Sequence, residues 1–142
     1  SQILINQRKV HAVEPSIDTG GIETSKVGMH YDLIIFDDIV SDLNVTTKAQ
    51  MDKVYDCYKK SLSLLKPGGK VLVVGTRWHF ADAYGRMIKD SASRFGVFKV
   101  DAEEIVDGEL IFAGIGLNRS FLDQQKAEQG NYFYSCLYIY VP

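Results

Sequence analysis

Asp32-Leu33-Ile34-Ile35-Phe36-Asp37-Asp38 is a short apolar run that closes on two adjacent carboxylates. An unbroken run without polar alternation reads as a strand covered on both faces, as in a parallel sheet. Ligands of α/β sheets gather beyond the carboxyl ends of such strands. Two acids delivered to that edge put negative charge where a metal, a phosphate-bound cation or a positively charged ligand would sit.

The residues that follow set the topology. Asn44 or Thr46 is placed to cap a helix, and Thr47 with Gln50 fits a capping box. Met51, Val54, Tyr55, Tyr58, Leu62 and Leu65 then recur at helical spacing on one face. Lys66-Pro67-Gly68-Gly69 reads as the helix stop, and Lys70-Val71-Leu72-Val73-Val74 as a second strand. Strand, helix and strand of these lengths predict a βαβ unit with a right-handed crossover. Both strands then end on one edge. Gly75-Thr76-Arg77 is expected beside Asp37-Asp38, although a helix separates them in sequence.

Outward from this unit the signals weaken. Residues 2–17 carry weak strand character, and 18–30 read as loop, with a turn at Asp18-Thr19-Gly20-Gly21 and a flexible point at Gly28. Asp82 is placed to cap a short helix reaching Met87 to Asp90. Residues 95–101 and 109–113 alternate like strands around an Asp107-Gly108 turn. Residues 119–128 read as a helix ended by Gly130. The aromatic-rich 132–140 fits helix and strand alike. Together these predict one domain over residues 1–142. It is of the α/β class, with a mainly parallel sheet and a C-terminal hairpin-like extension.

Composition narrows the function classes. The 142 residues are 46% apolar and 24% charged, as in an ordinary globular domain. The net charge of −2 and pI of about 5.9 argue against a dedicated basic nucleic-acid module, though not against one face of a larger machine touching DNA. Cys57 and Cys136 have neither metal-ligand spacing nor a disulfide framework, which fits a reducing compartment. No apolar run approaches the ~18 residues of a membrane span, and residues 1–10 do not read as a signal peptide. A chain running from Ser1 to Pro142 is expected to be a piece of a longer polypeptide.

An apolar strand ending in two acids has the form of a Walker B element. Asp37 is then the candidate Mg²⁺ acid, acting through water because Mg²⁺ keeps most of its hydration shell. Asp38 is the candidate carboxylate that orients or deprotonates an attacking water. Gly75 would let the backbone approach a γ-phosphate, Thr76 would sense it through its hydroxyl, and Arg77 would add charge. The competing enzyme class is a Rossmann-like SAM-dependent methyltransferase, whose later strands share the acid-ended strand and the Lys-Pro-Gly-Gly turn. Plainer roles stand beside these. His30 and His79 read as ordinary hydrogen-bonded histidines, Trp78 as a packing anchor, and Arg77 as an ion-pair partner of Asp37 or Asp38. Lys59, Lys60 and Lys66 read as a solvated helix face, and Glu103 and Glu104 as facing water.

Gly75-Thr76-Arg77-Trp78-His79, followed by Asp82, Tyr84 and Gly85, resembles the coupling region of the large terminase subunits of tailed phages. The resemblance extends over most of the chain. Gly28-Met29-His30-Tyr31-Asp32 is similar to the family's approach to Walker B, and Asp37-Asp38 to its Walker B acids. Gly130, Phe133, Tyr138 and Pro142 are similar to its exit from the ATPase domain. This chain departs from the pattern at Asp38, where Glu is common, and at Leu137, where Gln is common. It contains no Gly-x-x-x-x-Gly-Lys-Ser/Thr loop and no acidic nuclease cluster. The resemblance implies part of a P-loop NTPase fold, the Walker B and coupling half of a terminase ATPase domain. It implies ATP hydrolysis that drives double-stranded DNA into a procapsid in the host cytoplasm. ATP and Mg²⁺ are the implied cofactors, and DNA, the portal protein and the small terminase subunit the implied partners. Without the Lys loop the 142 residues alone are expected to be inactive.

Overall fold

The computed structural model describes residues 1–9, 14–24, 26, 28–90, 94–106, 109–113 and 116–139. The fold is mixed α/β. It divides into two compact units, one of Ser1–Ile39 with Asp52–Gly75, the other of Val40–Met51 with Thr76–Pro142.

The first unit carries two small sheets. β1 (Gln2–Ile3) pairs antiparallel with β2 (Ile17–Asp18). β3 (Tyr31–Asp37) pairs parallel with β4 (Leu65–Val74). The connecting helix α1 (Lys48–Ser61) begins in the second unit and runs into the first. Its start is the expected capping box: the Thr47 amide donates to Gln50 Oε1 at 3.0 Å, and the Gln50 amide donates to Thr47 Oγ1 at 3.3 Å. Asn44 instead closes a 3₁₀ turn over Asp42–Asn44, its Oδ1 accepting from the Ser41 amide at 2.9 Å. Met51, Val54 and Tyr58 are the buried stripe of α1. Phe36 of β3 meets Tyr58 edge-on at 5.2 Å between ring centroids.

Lys66-Pro67-Gly68-Gly69 is not the helix stop. α1 ends at Ser61, a 3₁₀ turn covers Leu62–Leu64, and the four residues lie within β4. Tyr31 is paired with Leu65 and Leu33 with Lys70, so all four bulge opposite Asp32. Pro67 has no amide to give a ladder, and Gly68 takes the left-handed φ of 80° that the bulge needs. The Lys66 ammonium closes the bulge on Asp32 at 2.9 Å.

The second unit holds α2 (Ala83–Asp90), β5 (Glu103–Val106), β6 (Glu109–Phe112) and α3 (Arg119–Tyr134), the last continuing into a π-helical turn over Ser135–Ile139. Asn118 caps α3 by accepting from the Phe121 amide at 3.0 Å. Gly130, at φ 82° and ψ 167°, breaks α3 into two helical stretches, so the expected stop is a kink, and residues 132–139 are helical. Ala83, Tyr84 and Met87 of α2, Leu122 and Tyr134 of α3, and Cys136 are buried.

Two expectations are corrected here. Residues 95–101 form no strand; the partner of β6 is Glu103–Val106, in antiparallel register from Glu103↔Phe112 to Val106↔Glu109. Alternation marked the earlier segment, but Phe98 is 90% exposed and no ladder holds it. The sheet is not mainly parallel either: among the described residues one strand pair is parallel and two are antiparallel. The Asp107-Gly108 turn, Tyr140 and Pro142 lie outside the described residues. Among the described residues no helix is long and apolar enough to cross a membrane.

Candidate functional site

The carboxyl edge of the parallel pair is built by register. Asp37, the last residue of β3, is the Cα partner of Val74, the last residue of β4. The Asp38 amide continues the ladder, donating to the Val74 carbonyl at 3.0 Å. Asp38 then turns sharply, with a φ of 44°. This is the left-handed region that Asp and Asn tolerate better than other side chains. Both carboxylates are exposed, and among the described residues neither has an ion-pair or hydrogen-bond partner. Asp37, Asp38 and Gly75 belong to the first unit, whereas Thr76 and Arg77 open the second. The parallel register thus brings the paired acids to the end of the strand that delivers Gly75.

Arg77 is held within its own unit. Its Nε lies 2.9 Å from Asp82 Oδ1 and donates to Oδ2 at 3.1 Å. Its Nη2 donates to the carbonyls of His79 and Phe80 at 3.1 and 3.0 Å. The ion-pair partner of Arg77 is therefore Asp82, in place of the expected Asp37 or Asp38. Asp82 is fully buried. It also accepts from the amides of Trp78 at 3.0 Å, His79 at 3.2 Å and Gly85 at 2.8 Å. A buried carboxylate is stable when its lone pairs are filled in this way. One side chain thus caps α2 and fixes the loop that carries Arg77, Trp78 and His79. Sequence reading saw only the cap.

Gly85 completes the arrangement. A Cβ there would meet Arg77 Nη2 and the Phe80 carbonyl oxygen at 2.7 Å each. Only a residue without a side chain lets α2 approach the guanidinium so closely.

His79 and Trp78 have structural partners, and His30 is bonded through its backbone amide. His79 Nδ1 accepts from the Ala81 amide at 3.0 Å, and its ring lies 4.2 Å from that of Phe80. The His30 amide donates to Glu14 Oε1 at 3.2 Å. Trp78 meets Phe133 edge-on at 5.9 Å, and its carbonyl accepts from the Tyr132 hydroxyl at 2.7 Å. Lys59 pairs with Asp56 at 2.8 Å. Glu103 does not simply face water: its side chain is 18% exposed and meets Arg119 at 2.8 Å.

A second polar cluster lies near the start of β3. The Tyr31 hydroxyl donates to Asp18 Oδ2 at 2.7 Å, and Lys26 meets Asp18 Oδ1 at 2.8 Å. Burial, then the bond to the Asp18 carboxylate, push the Tyr31 hydroxyl up to about 12. The Lys26 ammonium and the Tyr31 hydroxyl hold the Asp18 carboxyl below its ordinary range.

Among the described residues no three His, Cys, Asp or Glu side chains are grouped to hold a metal ion by themselves. The exposed, unpartnered pair Asp37-Asp38 suits a hydrated Mg²⁺, which takes one or two carboxylates and keeps several waters. The sequence carries no Gly-x-x-x-x-Gly-Lys-Ser/Thr loop. No protein-family model matches the sequence, and comparison with curated proteins gives no match.

Proposed function

We propose that this chain is the Walker B and coupling half of a terminase-type ATPase. In the intact protein, ATP hydrolysis would drive double-stranded DNA into a procapsid in the host cytoplasm, together with a portal protein and a small terminase subunit. The observation that supports the reading is the parallel register placing Asp37 opposite Val74, with two acids at that edge that have no partner among the described residues and with Gly75 following the last residue of the adjacent strand.

Asp37 would hold Mg²⁺ through water, and the bound metal would neutralise charge on the phosphates. Asp38 would take its place on the water side, aligning or deprotonating the nucleophile. Its backbone takes the left-handed φ of 44°, which Asp tolerates better than most side chains, and this suits Asp at the position where Glu is common in the family. Gly75 would let backbone come close to a γ-phosphate. Thr76 would read phosphate state, and Arg77 would pass it on through the Asp82-braced loop. The isolated chain would not turn over ATP, because the loop and Lys that grip the β- and γ-phosphates lie outside it.

The gene sequence upstream of Ser1 tests this reading. A Gly-x-x-x-x-Gly-Lys-Ser/Thr loop between a strand and a helix is the expected result. A Gly-x-Gly loop after a strand, with an acid ending the next strand, would replace the ATPase with the methyltransferase.

A further inference from the structure

The peptide group between Trp78 and His79 is held at both poles, within the second unit. A peptide group is planar, and its carbonyl and amide point opposite ways. Here the amide, that of His79, donates to Asp82 Oδ2 at 3.2 Å. The carbonyl, that of Trp78, accepts from the Tyr132 hydroxyl at 2.7 Å, with Cys136 Sγ 3.7 Å from the same oxygen. The Trp78 indole also meets the Phe133 ring edge-on at 5.9 Å. Residues 132, 133 and 136 thus converge on one residue of the loop that carries Arg77. Phe at position 132 would supply the same ring, so what the hydroxyl adds is the hold on the carbonyl.

Tyr132 offers that hydroxyl from a fixed place. Gly130, at φ 82° and ψ 167°, occupies a region essentially closed to other residues, although a Cβ there would meet nothing within 4 Å. Backbone conformation, not space, demands glycine at the kink. Beyond it the chain winds into the π-helical turn Ser135–Ile139, and the Tyr138 carbonyl accepts from the Ala102 amide at 2.6 Å. The stretch 131–139 is therefore set by the kink at one end and tied at the other.

We propose that Tyr132 is a positioning residue, its hydroxyl holding the Trp78–His79 peptide against Asp82 and so fixing the loop on which Arg77 acts. The effect on rate rests on the ATPase reading of Asp37, Thr76 and Arg77; the hold on the peptide does not.

Trp78 is the single tryptophan of the 142 residues, so acrylamide quenching of its fluorescence reads this loop alone. Tyr132→Phe should raise the quenching constant about twofold as the loop loosens, and Gly130→Ala, which alters the backbone alone, should raise it too. Quenching unchanged in Tyr132→Phe overturns the proposal. In the polypeptide that includes the segment upstream of Ser1, Tyr132→Phe should lower ATP turnover per bound nucleotide about tenfold and leave KM for ATP within about twofold. Counting per bound nucleotide removes any unfolded fraction. Unchanged turnover in Tyr132→Phe, where Asp37→Asn abolishes it, overturns the proposal and leaves the ATPase reading standing. A parent without turnover contradicts the ATPase reading and takes the rate effect with it.

Discussion

Arg77 and Asp82 are joined by an ion pair of 2.9 Å, and Asp82 is fully buried. The pair sits where the chain turns from the end of β4 into α2, so the guanidinium is part of the loop's skeleton. Any displacement of Arg77 from this loop must first break its bonds to Asp82 and to the carbonyls of His79 and Phe80. Asp82 thereby ties this loop to the N-terminus of α2.

Replacing Asp82 should show how much the brace contributes. Asp82→Ala removes the acceptor for three amides and leaves Arg77 with half its partners. Breaking a buried pair in this way costs about 3–5 kcal/mol. Asp82→Asn keeps one oxygen acceptor and should cost less, on the order of 2 kcal/mol. Urea denaturation of the two variants checks the order.

Gly85→Ala sets helix propensity against space. In an open helix the change would stabilise by about 1 kcal/mol. Here the new methyl meets Arg77 Nη2 and a backbone carbonyl at 2.7 Å, and overpacking of this kind costs roughly 1–3 kcal/mol. The expected result is a lower denaturation midpoint. Gly96→Ala, where a Cβ has nothing within 4 Å, should leave the midpoint unchanged or raise it.

The backbone of Asp38 makes a prediction separate from its chemistry. At a φ of 44° a β-branched side chain is strained, and Asp38→Val should cost about 1–2 kcal/mol. Asp38→Gly should be neutral or slightly stabilising. Equal stability of the two variants in thermal melts would show that the left-handed turn is absent in solution.

The Asp18–Tyr31–Lys26 cluster sets two pH limits. Asp18 titrates below its ordinary value in the folded chain. Its contribution to stability is therefore present above the unfolded value and is lost as pH falls through the lower folded one. Tyr31 is raised from 10 to about 12, so its contribution is complete below pH 10 and is lost as pH climbs from there toward 12. Ultraviolet titration should show a tyrosine ionising near pH 12 that Tyr31→Phe removes. Asp18→Asn should lower that value only in part, because burial is the larger cause.

Local periodicity made the parallel unit legible. The apolar runs gave β3 and the second half of β4, and the Thr47/Gln50 spacing gave the start of α1, because strand and helix periods and caps act within a few residues. The Lys-Pro-Gly-Gly segment was misplaced because the signals that stop a helix also make a strand bulge, and the choice depends on pairing with β3. The strand pairing of Glu103–Val106 was missed for a related reason: alternation marks a half-buried surface but not its partner. At the site, the strand-end position of Asp37 and Asp38 followed from the sequence. The partner of Arg77 did not. Acidic residues are usually exposed, and nothing in a sequence shows that backbone amides of Trp78, His79 and Gly85 converge on one carboxylate.

The central claim is that Asp37 and Asp38 are the acids of a Mg²⁺–ATP site. The direct measurement is Mg²⁺-dependent ATP turnover by the polypeptide carrying these 142 residues together with the segment upstream of Ser1, compared with its Asp37→Asn and Asp38→Asn variants. Turnover in the parent and a fall of at least about 100-fold in each variant are expected, as for loss of a group acting on the reacting atoms. Turnover unchanged by both substitutions, or no turnover in the parent, would contradict it.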